Sequence, residues 1–223
     1  MAFDSINVRE ADGAARWIAA GRPVVPSLVA GGVASPILHV SQLASMLGLE
    51  APPQLEVTRL AWDAAAVLGA WVELIQPLDF ETLTAPTPSR ERSLRNLTVN
   101  VFHPFELLPD AFATGSFDWD PTIDDEREAG LGDSGAVVAY ASRRHLVWQG
   151  WLLEHEGDLV GHDPVVSSPR GSVTYANLLA SQRWHAAFHY RQLLVFLQER
   201  GHDVTRALSL GSLADLELPR EVF

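Results

Sequence analysis

The chain has 223 residues, 47% of them hydrophobic and 20% charged, enough to fill the core of one large domain or two small ones. A net charge of −12 and the lack of a basic patch speak against nucleic acid as a partner. There is no cysteine, so disulfides, thiolate zinc sites and a cysteine nucleophile are excluded, and any sulfur chemistry must use a thiol from outside.

The N-terminal MAFDSINVREADG carries acidic side chains and no apolar stretch, unlike a signal peptide. No run approaches the ~20 apolar residues of a membrane span. The expectation is a cytoplasmic protein that does not engage a membrane.

Residues 1–50 are expected to form a small mixed segment. Phe3 to Val8 suits a short strand, and Glu10 to Ala20 a helix stopped by Gly21. Val24 to Ala30 is rich in β-formers and runs into a Gly31-Gly32 turn signal, with a second strand near Val33 to Leu38. Ser41 caps a helix that ends around Gly48. The run GRPVVPSLVAGGVASPILHVSQLASMLGLE resembles the C-terminal half of a glutaredoxin-type thioredoxin fold. That resemblance implies a cis bond before Pro26, a hairpin turning at Gly31-Gly32, and a truncated, redox-dead βαββα remnant. The plainer reading is a hairpin packed on two helices as a scaffold or a homodimer surface.

From residue 54 the pattern becomes helical. Gln54 to Ile75 places Leu60, Trp62, Val67, Leu68, Trp71 and Leu74 on an apolar face, and Pro77 stops it. Asp79 to Ser89 reads as a loop. Ser89 caps a second helix over Arg92 to Phe112. Gly115 to Gly132 reads as a turn-rich acidic loop; its FDWDPTIDDERE holds six carboxylates in twelve residues, without the spacing or the glycine of a calcium loop, and is expected to be solvated. Ser134 to Glu156 is a third helix and Gly157 to Gly171 a loop. Ser172 or Thr174 caps the fourth helix, which runs to Arg200 and stops at Gly201. A short helical piece is expected at Ser212 to Leu216. The fold class expected is α+β: mainly a four-helix bundle with long crossover loops over residues 54–223, preceded by the small segment at 1–50.

The chemistry centres on His185 and His189. They stand four apart in the last long helix, so both imidazoles lie on one face, able to grip a divalent metal ion. Leu178, Gln182, Leu193 and Phe196 share that stripe, which points the rings into the core. A third ligand from another helix is expected, and His103 in the second helix is the candidate, next to a Pro104 that perturbs the helix. Three imidazoles suit zinc first, and iron, nickel or manganese as well. A chain with eight histidines also offers such a pair by chance, and hydrogen-bonded core imidazoles are the alternative.

HAAFHYRQL and the histidine context SLRNLTVNVFHPFEL resemble the last and second helices of the DinB-like superfamily. The resemblance covers residues 54 to 200. It implies a three-histidine metal site in an open pocket, and a thiol-dependent S-transferase or isomerase that activates an external low-molecular-weight thiol, such as mycothiol or bacillithiol, or water. The alternative function is a non-catalytic metal-binding or structural protein.

Supporting roles are assigned by position. Gln182, Gln192 and Glu106 lie within reach of the imidazoles as orienting groups. Arg191 is offered for a substrate carboxylate, a surface ion pair being the competing role. Trp148, Trp151 and Trp184 are offered as pocket walls or core fillers. His145 and His155 are spare ligands or bases.

Overall fold

In a computed structural model, the described residues are 4–8, 10–23, 25–37, 39–50, 56–88, 92–120, 122–205, 207–209, 216 and 218. They form a mainly helical α+β fold with two two-stranded antiparallel sheets. In chain order the elements are α1 (Ala11–Ala19), β1 (Ser27–Ala30), β2 (Val33–Pro36), α2 (Val40–Met46), α3 (Val57–Ile75), α4 (Phe80–Thr84), α5 (Leu94–Thr114), α6 (Ile123–Ala129), α7 (Ser134–Leu159), β3 (Val165–Ser168), β4 (Gly171–Thr174) and α8 (Tyr175–Glu199).

The N-terminal segment keeps part of its expected layout. β1 and β2 pair from Ser27↔Pro36 to Ala30↔Val33, turning at Gly31 and Gly32, both at positive φ. The Val25–Pro26 bond is cis. Asp4 to Val8 do not form a strand, because no partner strand flanks them and an isolated strand leaves its backbone groups unpaired. His39, not Ser41, caps α2: its ring accepts the Ser41 N–H at 3.2 Å, while Gln42 Oε1 accepts the His39 N–H at 3.0 Å.

The four long helices α3, α5, α7 and α8 carry the main core. α3 packs on α7 and α8, and α5 packs on the same two. Leu60, Ala64, Val67, Leu68, Trp71 and Ile75 of α3 are buried, as the spacing requires. The Trp71 indole meets the Phe102 ring edge-on at 6.4 Å and donates to Thr98 Oγ1 at 3.1 Å, tying α3 to α5. Side chains cap three of the four: Ser93 for α5, Asp133 for α7 and Thr174 for α8 each accept the N–H three residues on. Ser89, expected as the α5 cap, and the helical piece expected at Ser212 to Leu216, apart from Leu216, lie outside the described residues. α5 continues through Pro104 and Pro109 to a left-handed Gly115, so the proline beside His103 does not end the helix. It only removes the N–H that would have bound the Asn100 carbonyl.

Three stretches expected as loops contain structure. Residues 80–84 form one helical turn capped by Asp79. Residues 123–129 form α6. Residues 165–174 form the β3–β4 hairpin, with Val166 and Val173 buried as a cross-strand pair. The Phe117 N–H donates to the Ser167 carbonyl and the Ser167 N–H to the Gly115 carbonyl, both at 2.8 Å, which anchors the chain leading to Trp119.

One buried ion pair joins α8 to α3: the Arg183 guanidinium, 2% exposed, lies 2.8 Å from Asp63 Oδ2. Removing one partner strands the other charge away from full solvation. Arg183→Met is expected to cost about 2–3 kcal/mol, less than a fully enclosed pair because Asp63 is 23% exposed. Urea denaturation read by tryptophan fluorescence checks it; an unchanged midpoint would show that the pair does not stabilise the fold.

Candidate functional site

α8 brings His185 and His189 to one face, with ring centroids 4.5 Å apart and planes at 89°. Each ring is oriented by an amide. His189 Nδ1 lies 2.6 Å from Gln192 Oε1, and His185 Nε2 lies 3.2 Å from Asn100 Oδ1. Behind Asn100 stands a buried carboxylate. The Asn100 amide donates to Asp124 Oδ2 at 2.8 Å, and the His103 Nδ1–H donates to Asp124 Oδ1, also at 2.8 Å. Asn100, His103 and Asp124 are 7%, 2% and 3% exposed.

This chain of bonds sets a tautomer. A carboxylate only accepts, so the NH2 end of Asn100 must face Asp124 and its carbonyl must face His185. His185 Nε2 therefore carries the hydrogen, and Nδ1 keeps the lone pair. That Nδ1 is buried and has no hydrogen-bond partner among the described residues. Burial first, then repulsion from His189, Arg92 and Arg170, holds the His185 pKa well below the ordinary histidine range, so the imidazole is neutral at physiological pH. A neutral, oriented imidazole with a lone pair in reserve is what a metal ligand or a base requires.

The histidines open into a pocket of about 1100 Å³. Asn96 and Asn100 of α5, Asp124, Asp125 and Glu128 of α6, Trp119, and Gln182, Trp184 and Phe188 of α8 contribute to its walls. Arg92 and Arg170 line it too, and Pro26 and Ile37 next to the N-terminal hairpin close one side. Trp119 approaches His185 at 5.6 Å between ring centroids, and the Trp184 and Phe188 rings stack at 5.2 Å. Gln182 is 3% exposed, and neither its Oε1 nor Trp119 Nε1 has a hydrogen-bond partner among the described residues.

The acidic stretch after Phe117 is a correction to the expected solvated loop. Its second half winds into α6, whose carboxylates turn inward to donors on α5 and at its N-terminus. Glu128 accepts from Ser93 Oγ at 2.5 Å, Arg95 Nε at 3.0 Å and Asn96 Nδ2 at 2.7 Å; Asp125 accepts from Asn96 Nδ2 at 3.1 Å. The signal was present as Thr122-Ile123-Asp124-Asp125-Glu126 before Gly130, acidic residues crowding the first turn of a helix that a glycine stops.

The other nominated residues fall in different places. Gln182 lines the pocket and Gln192 bonds His189, while Arg191 is half-buried and does not line it. Glu106 turns away, its carboxylate paired with Arg127 at 2.6 Å and with Arg144. Trp148 and Trp151 stack on one another at 5.3 Å, and Trp148 meets Phe105 at 5.6 Å, so both serve packing; only Trp184 of the three is at the pocket. His155 stacks on Trp151 at 4.9 Å and bonds its carbonyl, and His145 lies over Gly69, where a Cβ would come within 2.9 Å of its ring. Neither joins the pocket. Asn100, Asp124 and Trp119 were not expected at the site: a third imidazole from another helix was sought, which selected His103 and passed over Asn100, one turn away on the same helix.

As receivers of a metal, His185 and His189 fit, one of them through an orphaned buried nitrogen. His103 is turned to Asp124 and reaches His185 only through Asp124 and Asn100. Among the described residues no group of three histidine or carboxylate side chains is drawn together closely enough to hold an ion. No described helix is long and apolar enough to cross a membrane. No family model matches the chain, and neither a curated protein nor a solved structure matches it.

Proposed function

We propose that the protein is a metal-dependent enzyme of the DinB-like type, its four long helices forming a four-helix bundle around the pocket. In this reading His185 and His189 hold a divalent ion, zinc first, and the reaction is an S-transfer or isomerisation that uses an external low-molecular-weight thiol, or water. The observation that carries it is the buried Nδ1 of His185, unpartnered beside a second imidazole on the same helix face. Leaving such an atom unused costs roughly 1–3 kcal/mol, a cost that a ligand removes.

An ion bound there supplies Lewis acidity, which lowers the pKa of a thiol or water in the pocket. The chain's own residues do the rest. Asp124 and Asn100 hold His185 in one tautomer, and Gln192 holds His189. His103 supports Asp124 from behind, and so reaches His185 through Asp124 and Asn100. Trp119 and Phe188 restrict water beside the imidazoles.

The second reading, a non-catalytic metal-binding or structural protein, draws on the missing third ligand among the described residues. Elemental analysis of untagged protein tests the first. About one zinc, iron, nickel or manganese per chain is expected, falling to trace in His185→Ala with the fold unchanged by circular dichroism. Trace metal in the wild-type protein after loading with each of the four ions would overturn it.

A further inference from the structure

The charged groups that line the pocket are not equally satisfied. Each α6 carboxylate that lines it has donors: Asp124 has Asn100 and His103, Asp125 has Asn96, and Glu128 has Ser93, Arg95 and Asn96. Arg170, which lines the same pocket, sits in the turn of the β3–β4 hairpin, between Ser168 and a Gly171 at φ +104°. Its side chain is half-buried and lines the pocket, yet its guanidinium makes no ion pair or hydrogen bond with any described residue. In a chain of net charge −12, a half-buried arginine with no carboxylate beside it among the described residues is unusual, because burial without a partner is costly. Arg92 lines the same pocket, so two guanidinium charges face it.

Orphaned polar atoms occupy the same space. The Trp119 N–H needs an acceptor, while Gln182 Oε1 needs a donor, and both are buried at the pocket wall. Around them lie flat apolar faces, Trp119 and the stacked pair Trp184 and Phe188.

We infer that the pocket takes an organic monocarboxylate with an apolar, ring-bearing body, its acid group on the Arg170 guanidinium and its body against Trp119 and Phe188. A guanidinium presents a planar fork that a carboxylate matches with two hydrogen bonds. Three carboxylates, Asp124, Asp125 and Glu128, line the same pocket, so a second negative charge on the ligand, as in a phosphate dianion, adds repulsion that a monocarboxylate avoids. This names a substrate class for the site proposed above, but the recognition itself needs no metal.

Isothermal titration calorimetry on the full chain stripped of metal tests it, with 3-phenylpropanoate, 3-phenylpropan-1-ol and phenyl phosphate as probes. Saturable binding of 3-phenylpropanoate is expected, with the neutral alcohol and the phosphate each at least tenfold weaker. Arg170→Gln is expected to lose at least tenfold in affinity for the acid and nothing for the alcohol. Arg170→Lys, which keeps the charge but not the fork, is expected to lose at least threefold, and it serves if the glutamine variant misfolds. Equal affinity for acid and alcohol, tighter binding of the phosphate, no saturable binding, or an unchanged Arg170→Lys would overturn the inference. Acid-selective binding by a protein that never holds metal would sink the metal reading and leave this one standing; metal without acid selectivity would do the reverse.

Discussion

Asp124→Ala is expected to destabilise the protein by about 3 kcal/mol and to lower the thermal midpoint by roughly 10 °C, at the 2–4 °C per kcal/mol usual for a chain of this size. The carboxylate is 3% exposed and accepts from two buried donors, the Asn100 amide and the His103 ring. Truncation leaves both without an acceptor, at roughly 1–3 kcal/mol each, and relaxation of the two side chains recovers part of that. Asp124→Asn should cost only about 1 kcal/mol, because the His103 imidazole can change tautomer and accept from the new amide. The alanine variant should also weaken metal by about 10–100-fold, since Asn100 no longer fixes His185. Thermal unfolding followed by circular dichroism reads the first effect and competition with a chelator the second. An alanine variant within 2 °C of wild type would mean that the network is not part of what holds α6 on α5.

Trp71→Ala is expected to cost about 4 kcal/mol, the larger stability loss of the two. The indole is fully buried between α3 and α5, edge-on to Phe102 and bonded to Thr98. Its loss leaves a cavity too enclosed for the four helices to close over without moving their backbones. Thr98 itself suffers little, because its hydroxyl keeps its bond to the Leu94 carbonyl at 2.9 Å. Trp71→Phe should cost distinctly less, since most of the volume stays and only the indole bond is lost. Guanidinium denaturation gives the comparison. A loss under about 1.5 kcal/mol for the alanine variant would show that this part of the core can collapse around the gap. Phe102 directly precedes His103, so repacking here is also expected to disturb the Asp124 network, and the two effects should not add in the double variant.

Much of the fold was readable from the order of residues. The long helices appear within a few positions of their expected spans, because each carries an apolar stripe at helical period, with a Ser, Thr or Asp at the entry of α5, α7 and α8, Pro77 beyond α3 and a glycine at Gly115 and Gly201. The hairpin at Gly31-Gly32 followed from its turn chemistry. The β3–β4 hairpin and α6 did not stand out, since their short stretches are stabilised by contacts with α5 and α8 more than by their own propensity. Asp4 to Val8 show the opposite case, a good strand composition with nothing to pair against.

The four long helices and the placing of His185 and His189 on one face were legible in the residue order, because both depend on spacings of three and four along a single segment. Which groups face those imidazoles was settled instead by packing between distant segments. His103 and Asn100 are three apart on α5, and helical period puts them on neighbouring positions of one face. Which of them meets His185 depends on the rotation of α5 against α8 and on a carboxylate from α6 arriving between them. That rotation is set by how Trp71, Phe102 and their neighbours fill the core, a packing problem spread over several distant segments that no local pattern encodes.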